Sequence, residues 1–217
     1  MKIRSVSFVG ILLVLMLSGS FVSYAADPST IQLPNPQKEG GKPLMSALND
    51  RMSTKSFSGE KLPMQTLSNL LWAAFGINRP DGRRTAPSAK NWQETDIYVA
   101  TADGVYLYDA KKNTLDTIAT RDIRAMTGTQ AYVKDASVNL IYVSDDSKVN
   151  AGGYDKQMLV GADTGFISEN VYLFCASEGL ATVVRANIDR DALAKELKLR
   201  PEQKIILAQS VGYPQKQ

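Results

Sequence analysis

Two segments early in the chain carry apolar residues at helical spacing. Over residues 44–52 the apolar positions follow one another at intervals of three or four, which predicts an amphipathic helix. The same spacing over residues 67–74 predicts a second helix. Pro63 and Gly76 mark its two ends, because proline favours the first turn of a helix and glycine favours its termination.

After residue 96 the apolar period changes from that of a helix to that of a strand. Residues 97–99 and 105–107 alternate between apolar and other side chains, and the intervening Ala102-Asp103-Gly104 predicts a hairpin turn. A second turn at residues 111–113 leads to a short predicted strand over residues 115–118.

The second half of the chain mixes strands with helices. Helices are predicted over residues 163–178, closed by Gly179, and over residues 189–197, with Asp189 as the capping residue. Three further strands are predicted, over residues 137–144, 182–186 and 204–211. Because helices and strands do not alternate regularly, the pattern favours an α+β fold with helices on a mainly antiparallel sheet.

The first 25 residues have the features of a cleaved secretory signal peptide. A basic start precedes an apolar run over residues 8–17, and Ser23 and Ala25 place small residues at the cleavage point. The apolar run is shorter than a bilayer requires, which disfavours the alternative of an uncut membrane anchor. We therefore expect export. Residues 26–43, rich in Pro, Gly and polar residues, are predicted to form a flexible or wrapping arm before a single domain at residues 44–217.

Charge and composition exclude several classes of function. The formal net charge is +3, and removal of Lys2 and Arg4 with the signal peptide lowers it to +1, so no nucleic-acid partner is indicated. The chain contains one cysteine and no histidine, which excludes an internal disulfide, Cys/His zinc sites and histidine-based catalytic triads. Cys175 lies on an apolar helix stripe and is predicted to be a buried small hydrophobe.

Three separate segments offer hydrogen-bond donors on irregular backbone or at a helix end. In the first, Arg51, Ser53 and Lys55 project to one side if the backbone is extended, and together they suit a phosphate group. A solvated loop is the alternative for this triplet alone.

The second segment is residues 83–93, with the sequence RRTAPSAKNWQ. Pro87 stiffens it, the small Ser88 and Ala89 let a flat ligand approach the backbone amides, and Asn91 and Gln93 donate and accept hydrogen bonds. An ordinary surface turn is the alternative. The third segment, Glu178-Gly179-Leu180, ends the predicted helix and also brings backbone amides within reach of a ring.

The order of these motifs, followed by Val211-Gly212-Tyr213-Pro214, resembles the FMN-dependent nitroreductase superfamily over about residues 44–214. The resemblance implies FMN bound at the interface of an intertwined homodimer, with both chains lining each site. It also implies a role for each segment: the FMN phosphate is held by Arg51, Ser53 and Lys55, the isoalloxazine ring lies along Pro87, Ser88, Ala89 and Asn91, its pyrimidine edge meets Gln130, and its N5 lies near Glu178, Gly179 and Leu180.

Family members often carry a basic residue after the Gly-Tyr-Pro turn to hold the phosphate, and here only Lys216 is available. Trp92 lies within the second segment and faces either the pocket or the partner chain. The implied reaction is a ping-pong transfer of hydride and electrons through flavin N5 to a small organic acceptor, such as a nitroaromatic compound or a quinone.

Export conflicts with the use of NAD(P)H, which is a cytoplasmic reductant. The electron donor is therefore open among NAD(P)H, a quinone, a membrane partner and the substrate itself. Two further functions stay open for the same scaffold: an exported binding protein for a flat ligand without turnover, and an azoline-type dehydrogenase that oxidises heterocycles in peptides.

Overall fold

A seven-stranded antiparallel sheet forms the centre of the protein in the computed structural model, which describes residues 29–216. The strands are β1 Thr30–Gln32, β2 Thr95–Thr101, β3 Val105–Asp109, β4 Thr114–Ala119, β5 Val138–Asp145, β6 Ala181–Arg185 and β7 Gln203–Gly212, in the spatial order β1-β4-β3-β2-β5-β7-β6. The helices are α1 Leu44–Asp50, α2 Met64–Phe75, α3 Gly153–Glu178 and α4 Arg190–Glu196. The α+β prediction with a mainly antiparallel sheet is confirmed.

Both predicted hairpins are present. Strands β2 and β3 pair on either side of the turn at Asp103, with Val99 opposite Tyr106. Strands β3 and β4 pair around the second turn, where Asn113 adopts the left-handed region at φ 54°. Asparagine tolerates this conformation better than most residues, so the local sequence is sufficient to set the turn.

The two faces of the sheet carry different helices. Helices α2 and α3 cover one face, where Leu70, Leu71, Ile167 and Tyr142 are fully buried, and α1 packs on α3. Helix α4 covers the other face with Leu193, and its N-cap Asp189 accepts a hydrogen bond from the Ala192 N–H at 3.1 Å, as the sequence predicts. Cys175 is fully buried in the α3 face, and this burial raises the pKa of its thiol.

Helix α3 begins ten residues earlier than the predicted start at residue 163. The sequence pattern missed these first turns because they do not carry a buried apolar stripe. Tyr154 and Met158, which lie in this part of the helix, are 76% and 48% exposed. A helix whose apolar side chains face outward has no apolar–polar alternation for a sequence pattern to detect.

Glycine ends α2 and α3 for different reasons. Gly179 adopts the left-handed φ of 69°, the usual glycine C-cap. Gly76 has an ordinary φ of −72°, but a Cβ atom there would lie 2.4 Å from Cδ1 of Trp72. The end of α2 therefore depends on a close backbone approach to Trp72 and not on a left-handed turn.

The described part of the arm, residues 29–43, lies along the domain. Strand β1 within it pairs with β4, Leu33 is buried, and the Ser68 hydroxyl donates to the Pro34 carbonyl at 2.5 Å. The predicted signal peptide, residues 1–25, lies outside the described residues. Within residues 29–216 no helix is both long enough and apolar enough to cross a membrane.

Candidate functional site

The side chain of Tyr172, on α3, brings two of the predicted phosphate-binding residues together. The guanidinium carbon of Arg51 lies 5.3 Å from the centroid of its ring, and the Ser53 hydroxyl is 2.8 Å from its hydroxyl. The Tyr172 hydroxyl also accepts a hydrogen bond from the Val184 N–H at 3.0 Å, so its own proton is free to point at Ser53. The sequence reasoning missed Tyr172, because its role depends on contacts across more than a hundred residues.

Arg51 follows α1 with an extended backbone, and the segment at residues 51–55 is tied to β6 by a hydrogen bond of 2.9 Å from Thr54 N–H to the Thr182 carbonyl. Lys55 is exposed. Among the described residues no acidic side chain forms an ion pair with Arg51 or Lys55. Two cations and a hydroxyl without a protein counter-charge leave this segment able to bind an anion.

The C-terminal turn lies beside the same segment. The Ser58 N–H donates to the Tyr213 carbonyl at 3.0 Å, and the Ser56 hydroxyl donates to the Gln215 side chain at 2.9 Å. Gln215 thus contacts Ser56, which is the residue after Lys55. Lys216 follows Gln215 directly, so a third basic residue lies at this end of the site.

The third predicted segment adjoins the first. Gly179 ends α3, and the Leu180 N–H donates to the Cys175 carbonyl at 2.8 Å. Thr182, two residues further on, is the partner of Thr54, so residues 178–182 run beside residues 51–55. Glu178 is exposed and borders a cavity of ≈ 460 Å³ between the arm, α2 and α3, whose lining includes Trp72, Phe174 and Asn170.

The second predicted segment lies elsewhere along α3. The Ala89 N–H donates to Oδ2 of Asp163 at 2.8 Å. Asp163 precedes Tyr172 by nine residues and Glu178 by fifteen, which corresponds to about 13 Å and about 22 Å along the helix. Within one chain the structure therefore brings the first and third segments together and holds the second apart.

Residues 88–93 adopt an uncommon backbone conformation. Lys90, Asn91 and Gln93 have φ values of 49°, 57° and 49°, in the left-handed region that non-glycine residues rarely occupy. Such a conformation costs about 1–3 kcal/mol per residue and persists only where surrounding contacts hold it. Those contacts include hydrogen bonds from the Gln93 N–H to the Ser88 hydroxyl at 3.0 Å and from Arg84 Nε to the Gln93 side chain at 3.0 Å.

Several polar groups of this segment are therefore already in use. The Ala89 amide is bound to Asp163, the Ser88 hydroxyl accepts from Gln93, and the Asn91 Oδ1 accepts from the Gln93 amide at 3.1 Å. Trp92 is half-buried, with the Lys90 ammonium 5.6 Å from the centroid of its ring.

Gln130 lies beside Arg185, away from Tyr172. The Arg185 guanidinium donates to the Ser210 hydroxyl and the Asn139 side chain, on the sheet face opposite α3. Burial lowers the pKa of Arg185 to about 10. Gln130 Oε1 and Arg185 Nε both lie next to Gly128, and among the described residues no hydrogen bond joins the Gln130 side chain to the first or third segment.

Two buried carboxyl groups, those of Glu94 and Asp163, adjoin residues 88–93. The sequence reasoning missed this pair as well. Glu94 has no exposed surface, and neither of its carboxyl oxygens has a hydrogen-bond donor among the described residues. Burial, with a smaller contribution from the neighbouring Asp163, raises the pKa of Glu94 to about 7. Burial also raises the pKa of Asp163. No group of three or more potential metal ligands occurs within residues 29–216.

Comparisons with known proteins agree on one family. The sequence model of the nitroreductase family matches residues 48–213. A crystal structure described as a nitroreductase from Ralstonia eutropha JMP134 is 38% identical, covers 87% of this chain and 91% of its own, and superposes with a TM-score of 0.82. A curated relative from Methanocaldococcus jannaschii, also named a nitroreductase, is 27% identical over 172 residues, which are 72% of this chain and 83% of the relative.

A second similar structure contains the cofactor expected from the sequence. It is a nitroreductase from Desulfovibrio desulfuricans in complex with FMN, 20% identical, covering 82% of this chain and 89% of its own with a TM-score of 0.60. At this identity the likeness concerns the fold.

We predict that Tyr172→Phe lowers the free energy of unfolding by about 1–3 kcal/mol, because the half-buried Val184 N–H loses its acceptor and the Ser53 hydroxyl loses its partner. The ring that contacts Arg51 is kept, so the loss is confined to the two hydrogen bonds of the hydroxyl. Urea unfolding followed by circular dichroism measures the change. Tyr154→Phe, at an exposed position on the same helix, is the matched control, and equal effects of the two substitutions would contradict the role assigned to Tyr172.

Proposed function

Because the chain belongs to the nitroreductase family, and is therefore an oxidoreductase, we propose that it uses FMN to pass electrons from a donor to a small organic acceptor. A nitroaromatic compound or a quinone fits the acceptor role. The observation that carries this proposal is the cationic segment at Arg51, Ser53 and Lys55, which has no protein counter-charge and lies beside the end of α3. FMN dependence is further supported by the FMN complex of the structurally similar Desulfovibrio protein.

The described residues fit FMN chemically. Arg51 and Lys55 match the charge of the phosphate, and the Ser53 hydroxyl, held by Tyr172, adds a hydrogen bond. Space for a Cβ atom is open at Gly179, so nothing obstructs an approach to the backbone there. When bound, FMN supplies hydride transfer at its N5. The role of the chain is to hold the phosphate, to place the ring and to exclude water, and none of these requires histidine.

We propose that the site is completed by a second copy of the chain. Large apolar side chains remain exposed on α1 and α3, among them Met45 at 76% and Phe166 at 48%. A twofold axis crossing α3 between Asp163 and Glu178 would reverse the helix direction in the partner. Residues 88–93 of one copy would then lie near Tyr172 and Gly179 of the other, which supports an isologous, intertwined homodimer.

The first prediction from the proposed function concerns FMN binding and Arg51. The purified protein is expected to be yellow, to bleach with reductant and to recover in air. Arg51→Ala should weaken FMN binding by about 1.5–3 kcal/mol, roughly 10-fold to 150-fold in Kd, through loss of a charge-assisted hydrogen bond. Flavin fluorescence titration measures it. Arg121→Ala, which removes an exposed arginine paired with Glu196 beside α4, is the control.

Two outcomes would contradict this assignment. Unchanged FMN affinity in Arg51→Ala would remove the phosphate site from residues 51–55. A colourless protein that does not bind added FMN would favour the alternative of a binding protein without turnover.

The second prediction concerns the dimer. Phe166→Glu should shift the protein to a monomer and reduce FMN retention, because a charge would be buried in the interface between two copies of α3. Light scattering after size exclusion measures the mass, and absorbance measures bound FMN. Met64→Glu, at an exposed methionine that begins α2, should leave both unchanged. A monomeric wild-type protein that retains FMN would overturn the two-chain site.

We also propose export, on the basis of the features of residues 1–25. Cleavage after Ala25 makes Ala26 the first residue of the mature protein, and N-terminal sequencing of the natively expressed protein tests this. An intact Met1 start in the purified protein would contradict it and would make NAD(P)H the favoured donor. Export favours a quinone, a membrane partner or the substrate itself.

A further inference from the structure

The side chains of Glu94 and Asp163 lie within hydrogen-bonding reach of each other, and neither forms an ion pair among the described residues. Glu94 is fully buried and Asp163 is 3% exposed, and Glu94 precedes the first residue of β2 while Asp163 lies on α3. The Ala89 N–H donates a hydrogen bond to the Asp163 carboxyl group. Two ionised carboxylates without compensation are unfavourable in such a site, and a single proton shared between them removes the repulsion.

The charged groups around this pair are paired with other residues. Lys148, whose charge lowers the pKa of Glu94, binds Asp96 at 3.3 Å. Lys156 binds Asp146 at 2.7 Å, and Arg200 binds Asp145. The hydroxyls of Thr95, Ser144 and Thr164 are also buried, and they have no hydrogen-bond partner among the described residues. Of the cations beside the segment, Lys90 lies over the Trp92 ring and Arg84 donates to the Gln93 side chain and the Phe75 carbonyl. We therefore take a proton as the source of compensation for the pair.

The pair is attached to the strained segment at both ends. Asp163 holds the Ala89 N–H at 2.8 Å, one residue before the left-handed Lys90. Glu94 directly follows the left-handed Gln93, and its carbonyl accepts from the Asp145 N–H at 2.9 Å, which anchors it to the sheet. Repulsion within the pair would push the two attachment points apart, since Asp163 lies on α3 and Glu94 directly precedes β2.

We propose that Glu94 and Asp163 share one proton, and that this proton holds residues 88–93 in their left-handed conformation, which makes Glu94 a positioning residue for that segment. The segment is closed while the pair carries the proton. It loosens when the proton is lost.

The direction of the pH dependence follows from burial. The pKa of Glu94 is raised to about 7 from an ordinary value of 4.5, so the folded protein binds a proton that the unfolded chain has released between these two values. Stability from this group is therefore greatest below about pH 4.5, falls as the pH rises towards 7, and is constant above that. Loosening of residues 88–93 follows the same range.

Trp92 provides a direct measurement of the segment. The chain has two tryptophans, so Trp72→Phe leaves Trp92 as the single tryptophan, which is excited selectively over the tyrosines. We expect the acrylamide quenching constant of Trp92 to rise by about twofold between roughly pH 5.5 and pH 8.5 as the segment opens. In the same background Glu94→Gln should abolish the rise, because a neutral amide donates to Asp163 at every pH. Glu202→Gln, at an exposed acid, should retain it.

Asp163→Asn keeps the experiment decisive if Glu94→Gln does not fold. Its amide oxygen can still accept from Ala89 while its NH₂ donates to an ionised Glu94, so the rise should again disappear. Circular dichroism confirms folding of each variant. A rise that persists in both variants, or a parent protein without any rise, would overturn the proposal.

These measurements need no FMN, so they fail or succeed independently of the proposed function. One consequence does rest on that function: if residues 88–93 line the flavin, the Kd for FMN should increase with pH in the wild type more than in Glu94→Gln. Absence of FMN binding in both proteins would count against the proposed function, and the quenching result would still decide the role of Glu94.

Discussion

The packing of α3 against the sheet is the interaction on which the rest of the structure depends. One face of this 26-residue helix, including Ile167, Val171 and Cys175, is fully buried, and the helix packs against β6 and β7. The same helix carries Asp163, which holds residues 88–93, and Tyr172, which holds Arg51 and Ser53. Because a buried helix cannot change its length, the distances between these groups are set by the core and not by the loops.

This rigid spacing divides the polar segments into two sets. The segments that contact Tyr172 and Thr182 lie at the C-terminal part of α3, and the strained segment lies about 13 Å or more before it. No motion of exposed loops could close that distance without breaking the hydrogen bond from Ala89 to Asp163. In the proposed homodimer, where two copies of the helix run antiparallel, a ligand could contact both sets at once.

Local signals made the hairpins and the shorter helices predictable, while contacts distant in sequence did not. The turn at Asn113 and the cap at Asp189 depend on nearby residues, so their sequence reveals them. Strand β1 has three residues and is defined by pairing with β4, and the first turns of α3 expose their apolar side chains. Tyr172 and Glu94 acquire their roles from partners that lie 70 to 120 positions away, which no periodicity or motif spacing records.

The two sets also differ in chemistry. The side chains of Arg51 and Lys55 have no acidic partner among the described residues, so this set retains charge for a ligand. Residues 88–93 already use several polar groups for hydrogen bonds within the protein: the Ala89 N–H, the Ser88 hydroxyl and the side-chain oxygen of Asn91. Each hydrogen bond given to a ligand there would have to replace an internal one, with little net gain. The first set can therefore recognise the charge of a ligand, whereas the second contributes mainly shape, and its shape depends on the contacts that hold Lys90, Asn91 and Gln93 in a left-handed backbone.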